Sequence, residues 1–171
     1  HRHSSAASDV YKRQGNTGDN PFKKKEVRQA LYQAIDIEAI KKKVMRGLSE
    51  PAGIITFPGV NGYTADLDKR LPYDVNAAKK LLADAGYPNG FDVELRCPND
   101  RYVNDEAICT AVVGMLGKIG VNVNLFAQTK SKHFKELKDD QGDFYMLGWG
   151  VPTLDSCLLY TSPSPRDSRR S

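Results

Sequence analysis

The chain has 171 residues, of which 27% are charged and 40% are hydrophobic, and its formal net charge is +4. This basic excess lies entirely in residues 1–14 and 157–171, because residues 15–156 contain equal numbers of acidic and basic side chains. The charge of the centre therefore gives no support for a basic binding face for nucleic acid or anionic lipid. The apolar runs are also far shorter than the roughly 20 residues of a membrane-spanning helix.

The two ends of the chain differ in character from its centre. The first reads HRHSSAASDVYKRQ and the last reads CLLYTSPSPRDSRRS, and neither has a helical or strand period. Both resemble translated sequencing adapters, and a natural disordered tail is the alternative interpretation. We therefore expect non-native tails at 1–14 and 157–171, with residues 15–156 forming part of a larger protein.

Hydrophobic periodicity predicts two helices in the first third of the chain. Asp36 is well placed as the N-cap of the second helix, and Gly47 is typical of a helix end. The apolar positions are Val27, Ala30, Leu31, Ala34 and Ile35 in the first helix, and Ile37, Ile40 and Val44 in the second. Residues 48–73 have no steady period and many Pro and Gly, which indicates a loop with at most one short strand.

Strands and helices alternate in the rest of the centre. Asp74 is placed to cap a helix that Gly86 ends, and a longer helix is capped near Asn104. Strands are predicted at 91–96, 121–125 and 144–149, with a short helix at 130–138. The predicted buried helical positions are Ala78, Leu81, Leu82 and Ala85; Ile108, Val112, Met115 and Ile119; and Phe134 and Leu137. This order favours an α/β fold with a largely parallel sheet.

The central region carries no recognisable catalytic or metal-binding pattern. His133 stands alone on an amphipathic helix, where a surface histidine is more common than a base or ligand. Cys97 and Cys109 lack CxxC spacing and neighbouring histidines. A disulfide between them is possible in an oxidising compartment, but two unpaired, small apolar residues is the favoured interpretation. The acidic turn at 139–143 lacks the alternating ligand spacing of a calcium loop. We expect no catalytic residue, metal or cofactor, and not an enzyme.

Six segments, in matching order and spacing, resemble the family 5 solute-binding proteins of peptide-type ABC importers. They are EVRQALYQAIDIEAI, the turn Gly47 to Ala52, YDVNAAKKLLADAGYPNGF, RYVNDEAI, LGKIGVNVNL and GDFYMLGWG. The resemblance implies a type II periplasmic-binding-protein-like lobe, with a mixed, mostly parallel sheet flanked by helices. Residues 15–156 would form most of the second, C-terminal lobe of a two-lobed protein.

The same resemblance implies a function and a location. The protein would bind a peptide or peptide-like small solute in a cleft between two lobes and deliver it to an ABC permease in the cytoplasmic membrane. It would act as a monomer, without nucleic acid, in the periplasm or as an extracellular lipoprotein. Two alternatives from other classes remain: the ligand-sensing α/β domain of a regulator, and a cytosolic α/β enzyme domain.

The resemblance also implies residues for one end of the solute. Arg101 stands where dipeptide-binding relatives place an arginine that holds the ligand carboxylate, and Tyr102 and Asn104 would add polar contacts. A guanidinium suits this role because it can form two parallel hydrogen bonds to a carboxylate. The alternative is a surface arginine paired with Asp100 or Asp105.

A second group of residues would line the cleft after the last strand. Trp149 would cover a peptide backbone, and Gly148 and Gly150 beside it would allow close approach. The alternative is a core tryptophan. Peptide-binding relatives usually place an aspartate for the solute's ammonium three residues later, where this chain has Pro152. Asp155 is the nearest acid, so recognition of an amine in the usual way is not expected.

Overall fold

The computed structural model describes residues 20–139 and 141–148. Within these ranges, strands and helices alternate in the second half as predicted. The elements are a 3-10 turn Pro21–Lys23, α1 Lys25–Ala34, α2 Ile37–Ala39 continued by a π-helical turn Ile40–Val44, α3 Val75–Asp84, β1 Phe91–Pro98, α4 Asp105–Gly117, β2 Val121–Gln128, α5 Lys130–Lys138 and β3 Phe144–Tyr145.

The three described strands form one parallel sheet in the order β2-β1-β3. Phe91 pairs with Val121 at the start of the β1–β2 ladder, and Leu95 pairs with Phe144 in the shorter β1–β3 ladder. Since parallel strands run in one direction, their carboxyl ends meet at one edge of the sheet. Loops that follow different strands are thereby brought together at that edge.

One face of the sheet supplies the hydrophobic core. Val93, Leu95 and Cys97 alternate along β1 and are all at most 5% exposed, as period-two patterning predicts. They pack with α1, α3 and α4. The buried helical residues of this core are Val27, Ala30, Leu31, Ala34, Ile40, Ala78, Leu82, Ile108, Cys109 and Leu116. Most of the positions predicted to be buried in the first four helices are therefore confirmed.

The predicted helix caps at two aspartates are confirmed. The Asp36 carboxylate accepts a hydrogen bond from the backbone N–H of Ala39 at 2.9 Å. The Asp74 carboxylate accepts hydrogen bonds from the backbone N–H groups of Asn76 and Ala77, each at 2.9 Å. Each interaction satisfies a donor that has no partner inside the first helical turn.

The buried face of α5 corrects the prediction for this helix. His133 is 0% exposed and Glu136 is 9% exposed, whereas Phe134 and Leu137 are only half-buried. The expectation of a surface histidine is therefore wrong. The reason lies in the sheet, which presents polar Arg96 to α5 rather than an apolar surface.

The two cysteines correct a second expectation, because Cys97 and Cys109 form a disulfide. The end of β1 and the second turn of α4 bring their Cα atoms to 6.6 Å, a separation that a disulfide spans without backbone movement. No spacing rule reports this contact, because it depends on how α4 packs on the sheet. In residues 48–73, the described structure contains neither helix nor strand, so the short strand allowed there is not found.

Candidate functional site

Two loops meet at the carboxyl edge of the sheet and carry several of the predicted site residues. The first, here called the Arg101 loop, comprises residues 99–104 between β1 and α4. The second follows β3 and reaches Gly148 at the end of the described residues. Ligands of open parallel sheets bind at this edge because loops from neighbouring strands converge there.

Arg101 presents an exposed guanidinium at this edge. Its central carbon lies 5.4 Å from the centre of the Tyr102 ring, and it forms no ion pair with any acidic side chain of the described residues. The two acids proposed as alternative partners are both engaged with backbone. Asp100 accepts from the N–H of Lys130, and Asp105 accepts from the Arg101 loop.

Asp105 is a site residue that sequence reasoning did not assign. It is only 4% exposed, and its Oδ2 accepts hydrogen bonds from the backbone N–H groups of Arg101 and Tyr102 at 3.0 Å each. Its Oδ1 accepts from the N–H of Glu106 at 2.9 Å. The backbone N–H groups around the start of α4 are therefore already bonded to the Asp105 carboxylate. An anion would be attracted by the Arg101 guanidinium rather than by these N–H groups. The sequence signal that could have identified Asp105 was an acidic residue in the first turn of a predicted helix.

Tyr102 joins the two loops. Its hydroxyl donates to the backbone carbonyl of Gly148 at 3.3 Å. A Cβ atom at Gly148 would lie 2.6 Å from the Tyr102 ring, so only glycine permits this approach. Tyr102, which was assigned with Arg101 to the solute carboxylate, thus lies against Gly148, which was assigned to the cleft lining after the last strand.

Asn104 points elsewhere. Its amide donates to the backbone carbonyl of Val44 at 3.0 Å, and its backbone is left-handed, with φ of 56°. It occupies the N-cap position of α4 but makes no side-chain cap. In this structure Asn104 fastens the Arg101 loop to the π-helical turn. The remaining predicted site residues, Trp149, Gly150 and Asp155, lie outside the described residues, as does Pro152.

A buried polar cluster lies between α5 and the sheet. The Arg96 guanidinium donates to Glu136 and Glu94 at 2.9 Å each and stacks 4.1 Å from the centre of the Phe126 ring. Glu136 also accepts from the side-chain amide of Gln128. That hydrogen bond, together with the Arg96 and Lys132 charges, lowers the pKa of the Glu136 carboxyl despite its burial. The cluster joins α5 to the last residue of β2.

His133 is the other polar group of α5 against the sheet. Its Nε2 lies 3.0 Å from the backbone carbonyl of Met146, which therefore accepts from the imidazole. Its Nδ1 is buried and bonds to no described group. Burial lowers the pKa of the His133 imidazole, although Met146 and Glu136 act in the opposite direction. A neutral imidazole thus anchors the segment that leads from β3 to Gly148.

The described residues form no metal site, and the pocket between their helices is mostly apolar. No group of three His, Cys, Asp or Glu side chains is placed to hold a metal ion within the described ranges. A pocket of about 50 Å³, partly open to solvent, lies between the first helices, α4 and β3, and its lining is apolar apart from Arg70 and Tyr145. Arg101, Tyr102 and Gly148 do not line it.

Comparison with known proteins decides the family of the chain. Residues 3–165 match the family described as bacterial extracellular solute-binding proteins, family 5 Middle. The chain belongs to this family. The predicted family and fold class are therefore confirmed, and the similar solved structures are type II periplasmic binding proteins.

Three relatives illustrate the similarity within family 5. Heme-binding protein A of Haemophilus influenzae (strain ATCC 51907 / DSM 11121 / KW20 / Rd) is 32% identical over 140 residues, covering 78% of this chain and 25% of the relative. The structure of a dipeptide-binding protein from Pseudoalteromonas sp. SM9913 in complex with Met-Leu is 30% identical with a TM-score of 0.73, covering 90% of this chain and 31% of that one. The PBP AgaA from A.tumefacien R10, in complex with agropinic acid, is 36% identical with a TM-score of 0.68, covering 75% of this chain and 26% of that one.

The curated relatives are much longer than this chain. It spans about a quarter of the length of the curated relatives that it matches. The relatives are periplasmic or extracellular solute-binding proteins rather than enzymes. Among the described residues, no helix combines the length and apolar character needed to cross a membrane.

Proposed function

We propose that this chain is most of the second lobe of an extracytoplasmic solute-binding protein of an ABC importer. The complete protein binds a peptide or peptide-like small solute that carries a carboxylate, in a cleft between two lobes. One observation carries the proposal: Arg101 presents a guanidinium without an acidic partner among the described residues, at the sheet edge where ligands bind.

The chemistry of Arg101 suits a carboxylate better than a neutral solute. Its planar guanidinium can donate two parallel hydrogen bonds to the two oxygens of a carboxylate. Because Asp105 holds the backbone at Arg101 at 3.0 Å, the loop is ordered before the solute arrives, which reduces the entropy lost on binding. Met-Leu, agropinic acid and heme, which the names of the three relatives give, all carry carboxyl groups.

The other contacts of the proposed site come from both loops. The Tyr102 ring lies beside Arg101 and its hydroxyl donates to the Gly148 carbonyl, so the ring can cover the solute next to its carboxylate. Trp149 and Gly150 follow directly in the chain, and we assign them to contact with the rest of the solute. Pro152 stands where relatives usually have the amine-binding aspartate. An ammonium group of the solute would therefore bind to Asp155 or to a group in the part of the protein that this sequence does not cover.

The proposal includes the partners and location that the family suggests. The solute-loaded protein delivers its cargo to the membrane permease, acts as a monomer and needs no nucleic acid. It works in the periplasm, or outside the cell as a lipoprotein. The Cys97–Cys109 disulfide supports such an oxidising location, because disulfides persist there and are rare in the cytosol.

The test of the proposal uses the full-length protein. Met-Leu, the peptide Ser-Thr-Ser-Ala, agropinic acid and heme are screened by thermal shift, and affinities are measured by calorimetry. Arg101→Ala should weaken the binding of the best carboxylate solute by about 2–5 kcal/mol, because the solute carboxylate, buried in the closed cleft, loses its partner. Arg101→Lys should recover part of the loss, since lysine keeps the charge but not the bidentate geometry.

Two controls make the result specific. The amide of the best-binding solute, which lacks the carboxylate charge, should bind weakly. Its affinity should not change in Arg101→Ala. Lys80→Ala removes another exposed cation, on α3, and should leave the affinity unchanged. Equal affinity of the parent protein and Arg101→Ala for the carboxylate solute would overturn the assignment.

A further inference from the structure

We propose that the Cys97–Cys109 disulfide is a positioning element of the solute site, which holds the Arg101 loop in its binding conformation. This inference rests on the proposed function, because it assigns the disulfide a task at the same site. The bond joins a residue near the end of β1 to the second turn of α4, 12 residues later. The whole Arg101 loop lies between its two ends.

The disulfide contacts the second loop as well as the first. The sulfur of Cys97 lies 3.9 Å from the sulfur of Met146, and that of Cys109 lies 3.5 Å from it. Met146 is the residue whose carbonyl bonds to His133 at 3.0 Å, and Gly148 follows two residues later. The disulfide therefore lies beneath both segments that carry the proposed site, at the place where they converge.

One residue of the Arg101 loop has an uncommon backbone conformation. Asn104 adopts a left-handed φ of 56°, which asparagine tolerates better than other non-glycine residues, and its amide is held by the Val44 carbonyl. Inside the loop, two N–H groups bond to Asp105. The covalent bond closes the loop around these hydrogen bonds and limits the alternatives open to the backbone.

The location of the bond distinguishes positioning from general stabilisation. Cys97 is 0% exposed and Cys109 is 2% exposed, so the bond is part of the packed base of the loop rather than a surface link. Arg101 has a long, exposed side chain, and ordering such a group on binding weakens the affinity. A fixed backbone at Arg101 removes part of that entropy loss.

The experiment uses the full-length protein with Met-Leu and Met-Leu amide as probes. Four proteins are compared by calorimetry: the parent, Cys97→Ala/Cys109→Ala, Arg101→Ala and the variant with all three changes. Loss of the disulfide should weaken Met-Leu binding about tenfold, as expected for one or two side chains that must be ordered on binding. With Arg101→Ala already present, the same loss should change the affinity by less than about twofold, because the two effects act through one contact.

A readout without solute and a stability control accompany the binding data. Amide hydrogen exchange should accelerate at Arg101 and Tyr102 in Cys97→Ala/Cys109→Ala, and should not change within α3. Leu82 is buried on α3, which packs on α1. Leu82→Ala should lower the stability of the protein away from the site and should not reduce the affinity for Met-Leu. A loss of affinity in Leu82→Ala equal to that in the cysteine variant would indicate a general effect of stability and would overturn the inference.

The outcomes separate this inference from the proposed function. If Arg101→Ala does not affect Met-Leu binding, the proposed function fails. If Arg101→Ala weakens binding while the cysteine variant binds normally, or if exchange at Arg101 and Tyr102 is unchanged, only the positioning role fails. Weakened binding that depends on Arg101, together with faster exchange confined to the loop, supports it.

Discussion

Asp105 accepts a hydrogen bond from the backbone N–H of Arg101 at 3.0 Å and forms no ion pair with its guanidinium. One residue thereby orders the other without neutralising it. A carboxylate in direct contact with the guanidinium would compete with any anionic solute. The same acid, placed against the backbone, leaves the cation available.

Removal of the Asp105 carboxylate should destabilise the protein. Asp105→Ala leaves the partly buried N–H groups of Arg101, Tyr102 and Glu106 without their acceptor. We expect a loss of about 2–3 kcal/mol in the free energy of unfolding, measured with urea. Glu106→Gln changes the neighbouring exposed acid and should stay within about 0.5 kcal/mol of the parent. An equal effect of both changes would contradict the role given to Asp105.

A methyl group at Gly148 should displace the Tyr102 ring. The added Cβ would lie 2.6 Å from the ring, and overpacking of this kind costs about 1–3 kcal/mol. Urea unfolding of Gly148→Ala measures the loss. The same change in a Tyr102→Ala background provides the control, because the clash is then absent and the effect should nearly vanish. A loss of the same size in both backgrounds would show that the ring is not its cause.

An alanine in the middle of α4 should stabilise the protein. Gly114 is exposed, and a Cβ atom there would meet nothing within 4 Å. Gly114→Ala should therefore raise the free energy of unfolding by about 1 kcal/mol, the difference in helix propensity. Gly120→Ala, six residues later, should do the opposite, because that residue has a φ of +86° that alanine adopts only with strain. Thermal unfolding of both variants checks the pair.

His133 should make stability depend on pH below neutrality. Burial lowers the pKa of its imidazole below the ordinary value of 6.5, so the unfolded chain binds this proton more readily than the folded one. The stabilisation is thus complete above about pH 6.5 and is lost as the pH falls through the folded-state pKa. Glu136, Asp105 and Arg96 are the charged groups that act on it.

The variant His133→Gln isolates this titration. Its free energy of unfolding should change less between pH 7.5 and pH 5.5 than that of the parent, in urea titrations at both values. The lowered pKa of Glu136 places the loss of that carboxylate's contribution at lower pH, outside the window. Parallel pH profiles of parent and variant would show that His133 does not titrate there.

Local patterns were sufficient to predict most of the fold. Asp36 and Asp74 predicted helix starts, because a short side-chain acceptor just before a helical apolar period is strongly favoured as the N-cap. The alternation of Val93 and Leu95 with charged residues identified β1 and its buried face. The family resemblance, carried by six segments in register, was confirmed over residues 3–165.

The buried face of α5 could not be predicted from hydrophobicity. Phe134 and Leu137 are the apolar residues of the helix, yet His133 and Glu136 face the sheet. A polar residue becomes a buried one when the opposing surface supplies its partners, here Arg96 and the carbonyl of Met146. Such partners come from strands distant in sequence, so no local window contains them.

The site shows the same division between sequence and tertiary structure. The sequence alone determined that Arg101 and Tyr102 follow a strand and precede a helix, because caps and periods are properties of neighbouring residues. Only the tertiary structure decided that Tyr102 meets Gly148, that Cys97 bonds to Cys109 and that Asp105 holds the backbone of Arg101. The first two contacts depend on how parallel strands and α4 assemble. The third depends on the loop's path, since a carboxylate can bind a side chain or an amide and the geometry selects the amide.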